Sequence, residues 1–141
     1  MDHSIVSCLW CDGNAREAAD YYCSIFKNSK ITDANPMVVA FELNGSKFIG
    51  LNGGPNFKFN EAVSFVVNCD TQEEIDHYWN SLIANGGNES MCGWLKDKFG
   101  VSWQIVPSML GKLMSDPEKG NRAMQALLKM KKLDIAKLKA A

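Results

Sequence analysis

One supersecondary pattern occurs twice in this chain of 141 residues. An apolar run leads to Cys11-Asp12, then to a helical stretch through Glu17 to Tyr21-Tyr22. Later an apolar run leads to Cys69-Asp70, then to a helical stretch through Glu74 to Tyr78-Trp79. Each copy closes on a glycine followed by a strand-like segment, Gly45 before SKFIGL and Gly100 before VSWQIV. The matched helix glutamates lie 57 residues apart and the matched glycines 55. Such spacing means two copies of one folding unit. A unit of that size buries too little apolar surface to be a good core alone, so the copies are expected to pack together as one domain. The groove between them is then the first candidate site.

Local signals fill in the elements. Residues 4–11 read as a strand, and Asn14 with Glu17 forms a capping-box pattern before a helix running through Phe26. Residues 36–43 and 46–51 read as strands joined at Asn44-Gly45, a strong hairpin signal. Residues 27–35 have room for one more short strand. The second copy opens at Glu61 with AVSFVV, and Thr71 with Glu74 repeats the capping box for a helix to about Ala84. Residues 89–96 and 101–107 read as strands around a turn at Asp97–Gly100. Past Pro107 a helical tail is expected, with Asp116-Pro117 starting one helix and Asp134 capping a last short one. The fold class is therefore α+β: βαβββ twice, with repeat one at about 3–55, repeat two at about 61–107 and a tail over 108–141.

Charge and cysteine usage exclude several function classes. A formal net charge of −1 gives no general attraction to nucleic acid or anionic membrane. No run approaches a membrane span. The start, MDHSIVSCLW, has no cationic region, so it reads as a strand rather than a signal peptide. Five cysteines, mostly inside expected strands and helices, suit free thiols in a reducing cytoplasm. Cys8 and Cys11 lie three apart in a strand, so they point to opposite faces and make no zinc pair. The lysines at 129, 131, 132, 137 and 139 read as the solvated face of a C-terminal helix, with a patch for an anionic surface as the alternative.

The segments CLWCDGNAREAADYY, FELNGSKFIGLNGGP, FKFNEAVSFVVNC and CGWLKDKFGVSWQIVP resemble the vicinal oxygen chelate superfamily of glyoxalases, bleomycin-resistance proteins and extradiol dioxygenases. More narrowly they resemble its PhnB-like branch, often labelled a 3-demethylubiquinone-9 3-methyltransferase domain. One departure is the short SKITDANPM segment after the first helix, where relatives have a longer loop. The resemblance implies a curved mixed sheet with helices outside, a binding site on its concave face, and a homodimer. It also implies metal ligands on the first and last strand of each copy. Counting back from the helix aromatics puts Ser7 and Ser64 at the first-strand positions. The last-strand positions fall at Phe48 to Gly50 and at Gln104. Hydroxyls and an amide are poor donors for zinc, nickel or iron, so the usual metal centre is not expected, and no cofactor is assigned.

His3 and His77 lie off the expected concave face. Strand alternation sends Trp103 under the helices if Gln104 is concave, and turns Trp10 away from Ser7 and Leu9, leaving Trp94 with Lys96 for the pocket. Cys92 is a candidate beside Trp94. Asn52, in Asn52-Gly53-Gly54-Pro55, is a candidate if that turn cradles an anion; the alternative is a plain sharp turn. Asp97 and Lys98 are assigned to the turn. The expected ligand-binding set is thus Ser7, Asn52, Ser64, Cys92, Trp94, Lys96 and Gln104, holding an unidentified small organic molecule. The alternatives are a metal-dependent glyoxalase or dioxygenase-type enzyme, and the methyltransferase of the label. No glycine-rich loop of the kind that usually holds S-adenosylmethionine is evident.

Overall fold

The structure is a computed structural model that describes residues 3–141. The chain divides into two compact units, residues 1–59 and 60–141. The first contains β1 (Ser7–Cys11), α1 (Ala15–Ile25), β2 (Lys30–Ala34), β3 (Val38–Leu43) and β4 (Ser46–Asn52). The second contains β5 (Ser64–Cys69), α2 (Gln72–Ile83), β6 (Asn88–Glu89), β7 (Trp94–Lys96) and β8 (Ser102–Pro107). It then adds α3 (Leu110–Met114), α4 (Gly120–Leu127) and α5 (Ile135–Ala140). The βαβββ order is present twice, as the repeat requires. Strand pairing stays within each copy, giving two four-stranded mixed sheets in the orders β1-β4-β3-β2 and β5-β8-β7-β6.

Unit one shows why its sequence makes these elements. The turn between β3 and β4 places Asn44 at φ 48° and Gly45 at φ 85°. Two successive positive φ values are the tight hairpin geometry that Asn-Gly favours. α1 covers one sheet face, burying Ala15, Ala18, Ala19, Tyr22 and Ile25. Beneath it Tyr22, Phe41 and Phe48 stack in series, with ring centroids 6.2 and 5.4 Å apart. Gly50 permits close helix approach, because a Cβ there would lie 3.0 Å from the Ala15 Cβ.

The cap of α1 differs from the expected capping box. The Asn14 side chain makes no cap hydrogen bond. The Ala15 N–H instead donates to Asn52 Oδ1 at 2.9 Å, so the end of β4 supplies the acceptor. In α2 the expected cap is present: Glu74 N–H donates to Thr71 Oγ1 at 3.2 Å. Ile75, Tyr78, Trp79 and Leu82 form the buried stripe of that helix.

Several boundaries move. β1 begins at Ser7 rather than at residue 4. The short strand expected within 27–35 is β2. The single strand expected over 89–96 is broken into β6 and β7, because Cys92 and Gly93 adopt φ 61° and 84°. The tail fixes that break: Cys92 N–H donates to Met130 O at 2.7 Å and Gly93 N–H to Lys131 O at 2.9 Å. Leu133 is fully buried beside Gly93. Asp116 Oδ1 accepts from the Glu118 and Lys119 N–H groups, and the helix proper follows from Gly120. Asp134 caps α5 as expected, accepting from Lys137 N–H at 3.0 Å. Lys129, Lys131 and Lys132 precede α5, so they are not the solvated face of that helix.

Candidate functional site on the second sheet

Register divides the second sheet into two faces, since directly paired residues share a face and neighbours alternate. Phe65 pairs with Trp103, Val67 with Ile105 and Leu95 with Trp103. These, with Cys69, form the face against α2, where Trp103, Ile105, Leu95 and Cys69 are buried. Ser64 pairs with Ser102, Val66 with Gln104, Trp94 with Gln104 and Lys96 with Ser102. The opposite face therefore carries Val66–Gln104–Trp94 in one row and Ser64–Ser102–Lys96 in the next.

Four expected site residues, Ser64, Trp94, Lys96 and Gln104, thus meet on one face from three strands. The Gln104 Nε2 donates to Ser64 Oγ at 2.9 Å. Lys96 Nζ pairs with Glu61 Oε1 at 2.9 Å. The hydrogen bond from Lys96, more than any other influence, holds the Glu61 carboxyl below its ordinary range. Ser102 is 1% exposed, and its hydroxyl has no hydrogen-bond partner among the described residues. Val66, 53% exposed, supplies apolar surface beside them. Glu61, Val66 and Ser102 were not singled out from sequence. Alternation would have reached the last two, each an even step from Ser64 or Gln104.

The hairpin beneath these residues is held by Asp97, which is 2% exposed. Its Oδ1 accepts from the N–H groups of Phe99 and Val101 at 2.8 and 3.1 Å. Its Oδ2 accepts from Trp103 Nε1 at 2.8 Å. Asp97 therefore builds the β7–β8 turn, as its position in the sequence suggested.

The other expected residues lie elsewhere. Ser7 pairs with Phe48, so it shares the α1-covered face of the first sheet and is not the counterpart of Ser64. The reason is one extra residue. Three residues separate β1 from α1, and two separate β5 from α2. Counting back through the longer turn shifts the register by one and reverses the face. The position that matches Ser64 is Val6, just before β1. Asn52 pairs with Cys11 on the same covered face, and besides capping α1 its Nδ2 donates to Pro36 O at 3.1 Å.

The Gly53 and Gly54 N–H groups both donate to Cys11 O, at 2.9 and 3.3 Å, so the loop is a sharp turn with its amides engaged. Trp10 sits on this loop, donating from Nε1 to Gly54 O at 2.9 Å. Cys92 lies in the strained turn before β7, half-buried. Cys8 is exposed and Cys11 buried, on opposite faces. His77 is an exposed residue of α2, its ring edge-on to Tyr78.

Burial shapes the thiols. Desolvation, aided by the Glu74 and Asp70 charges, pushes Cys69 up to about 12. Desolvation also raises Cys11 and Cys23. The open face of the second sheet offers a hydroxyl, an amide and an ion-paired lysine. Among the described residues no group of three or more His, Cys, Asp or Glu side chains is arranged to hold a metal ion. That donor set does not fit a zinc- or iron-type centre, which needs imidazole, thiolate or carboxylate ligands.

Solved structures share this fold. At 16% identity, a glyoxalase-related enzyme from Fulvimarina pelagi superposes with a TM-score of 0.56, covering 76% of this chain and 88% of that one. A glyoxalase/bleomycin resistance protein/dioxygenase family enzyme from Burkholderia phytofirmans does so at 14% identity and TM-score 0.55, covering 71% and 94%. These place the paired βαβββ units in the vicinal oxygen chelate fold. A putative 3-demethylubiquinone-9 3-methyltransferase, PhnB protein, from Bacillus cereus is nearer: 32% identity, TM-score 0.66, covering 74% of this chain and 99% of that one. Residues 3–106 match the model of the family described as 3-demethylubiquinone-9 3-methyltransferase, and the chain belongs to that PhnB-like family. No curated protein matches it. Among the described residues no helix is long and apolar enough to cross a membrane.

Proposed function

We propose that this protein binds a small organic molecule on the open face of the second sheet, without the metal centre usual in its superfamily. The observation that carries this reading is the convergence of Ser64, Gln104, Trp94 and Lys96 on one face. Trp94 offers a flat apolar surface, the Ser64–Gln104 pair offers donors and acceptors, and Lys96 offers a cation. A few polar groups set in apolar surface is the usual composition of a small-molecule site. Homodimerisation and a cytoplasmic location, with reduced thiols, belong to the same proposal.

Methyl transfer, the activity in the family's description, has less support. Both strand-to-helix turns are short, and only Gly13 among their residues is a glycine. Neither is a glycine-rich loop of the kind that usually holds a nucleotide-like methyl donor.

Ligand-observed NMR with a panel of small aromatic carboxylates and amides tests the proposal. Compounds that bind the native protein are expected to lose binding in Gln104→Ala and Trp94→Ala. Hits that persist unchanged in both variants would sink it.

A further inference from the structure

A concavity that shares no lining residue with that sheet face is lined mostly by residues beyond the segment that matches the family model, which ends at residue 106. It is an open depression of about 490 Å³. Lys129, Lys131, Lys132 and Lys137 line it, together with Asp76 and Asp134. Four cations against two carboxylates leave two positive charges in excess. Lys132 Nζ is taken up by Asp76 Oδ1 at 3.1 Å. Lys129, Lys131 and Lys137 make no ion pair among the described residues.

The lysines come from one stretch of the tail that spans a loop and a helix, and α2 supplies the opposite wall. Lys129, Lys131 and Lys132 come from the irregular segment between α4 and α5, Lys137 from α5, and Asp76 from α2. Lys129, Lys131 and Lys137 are exposed and Lys132 is half-buried, but only Lys137 lies in a helix, so the four are not one solvated helix face. The wall is also fixed. Met130 O and Lys131 O accept from the Cys92 and Gly93 N–H groups, and Leu133 is fully buried. Gln72 ties α2 to the same segment: its Nε2 donates to Leu133 O at 3.0 Å and to Asp76 Oδ1 at 3.1 Å. Its Oε1 accepts from Ile135 N–H at 2.9 Å. These bonds hold the backbone that carries the lysines before any ligand arrives, which lowers the ordering cost of binding.

We infer that this concavity is a binding site for a small phosphorylated molecule. Three lysines without ion pairs suit a multiply charged oxyanion, because each ammonium is a compact charge with rotatable donors. The volume falls within the range of small-molecule pockets, roughly 300–1,000 Å³. It is more than a lone phosphate fills, so the phosphoryl group is joined to an organic body. Asp134 and the paired Asp76 are placed to accept from hydroxyl or amino groups of that body. The site is independent of the sheet face described above.

Calorimetry of the full chain with inorganic pyrophosphate at low salt tests the inference. Saturable binding that weakens as salt rises is expected. The Lys131→Ala/Lys137→Ala variant should bind at least about tenfold more weakly, the equivalent of one charge-assisted contact. Lys27→Ala, an exposed lysine of the first unit outside this lining, should bind as the native protein does. Both variants change exposed or half-buried side chains, and circular dichroism melting checks that they fold. Absence of saturable binding by the native protein would overturn the inference, as would equal affinity in the double variant. Sedimentation with phosphatidylserine vesicles is the second arm. Lysine-dependent capture there, with no pyrophosphate binding, would overturn it in favour of a membrane surface.

Discussion

Replacing Asp97 by alanine tests how the β7–β8 hairpin is held. The carboxylate is 2% exposed and accepts from Phe99 N–H, Val101 N–H and Trp103 Nε1 at 2.8, 3.1 and 2.8 Å. Val101 and Trp103 are both buried, so alanine leaves two buried donors without this acceptor. Each such donor costs about 1–3 kcal/mol. Removing a desolvated charge returns part of that. The net loss should be about 3 kcal/mol. With a urea slope of about 1–3 kcal/mol per molar, the midpoint should fall by roughly 1–3 M.

Trp103→Phe keeps the buried ring and removes only the indole donor, so it should cost less, about 1–2 kcal/mol. The double variant should lose less than the sum, with a coupling of about 1–2 kcal/mol. The same hairpin carries Trp94, Lys96 and Gln104, so ligands of the sheet face should weaken along with stability. A loss under about 1 kcal/mol in Asp97→Ala, or strict additivity with Trp103→Phe, would refute the reasoning.

Other outcomes follow from the same geometry. Asn52→Ala should destabilise by about 1 kcal/mol or more, whereas Asn14→Ala should change stability by less than about 0.5 kcal/mol, because the cap comes from β4; urea melts of both variants check this. Gly50→Ala should cost about 1–3 kcal/mol by pressing on the Ala15 Cβ, again read by urea melts. Burial pushes the Cys69 thiol from its ordinary 9.0 up to about 12 in the fold. Its contribution to stability is complete below pH 9 and is lost as pH rises from there towards 12. Cys69→Ala should flatten that alkaline decline in melts taken across the range. Elemental analysis of the purified protein should show no stoichiometric zinc, nickel or iron; bound metal that leaves together with an activity would contradict the proposed function.

Much of the fold was legible because its signals are local. Asn44-Gly45 specified a hairpin, Thr71 with Glu74 specified a helix start, and alternation specified which face Trp103 takes. What escaped depended on distant partners. The capping acceptor for α1 lies 37 residues away in Asn52, and no local rule points to it. The break at Cys92–Gly93 is stabilised by carbonyls of residues 130 and 131. That Ser64, Trp94, Lys96 and Gln104 share one sheet face was readable because Gln104 gave an anchor for parity. Ser7 was misplaced because parity was carried across a turn of different length. The lysine-lined concavity was hidden because its residues are joined by tail docking, not by periodicity.

The extra residue between β1 and α1 has a consequence for how such a duplicated protein can change. Its length difference is taken up in a turn, where it disturbs no packing. Absorbing it in the strand would turn Leu9 and Cys11 out of the interior. A deletion at Gly13 therefore cannot simply hand Ser7 the place that Ser64 holds, because the apolar residues of β1 pin it. New chemistry in the first copy must come by substitution at positions such as Val6, Cys8 or Ile49, not by sliding the chain. The two copies are free to diverge in what they display, yet each is locked to the face on which it displays it.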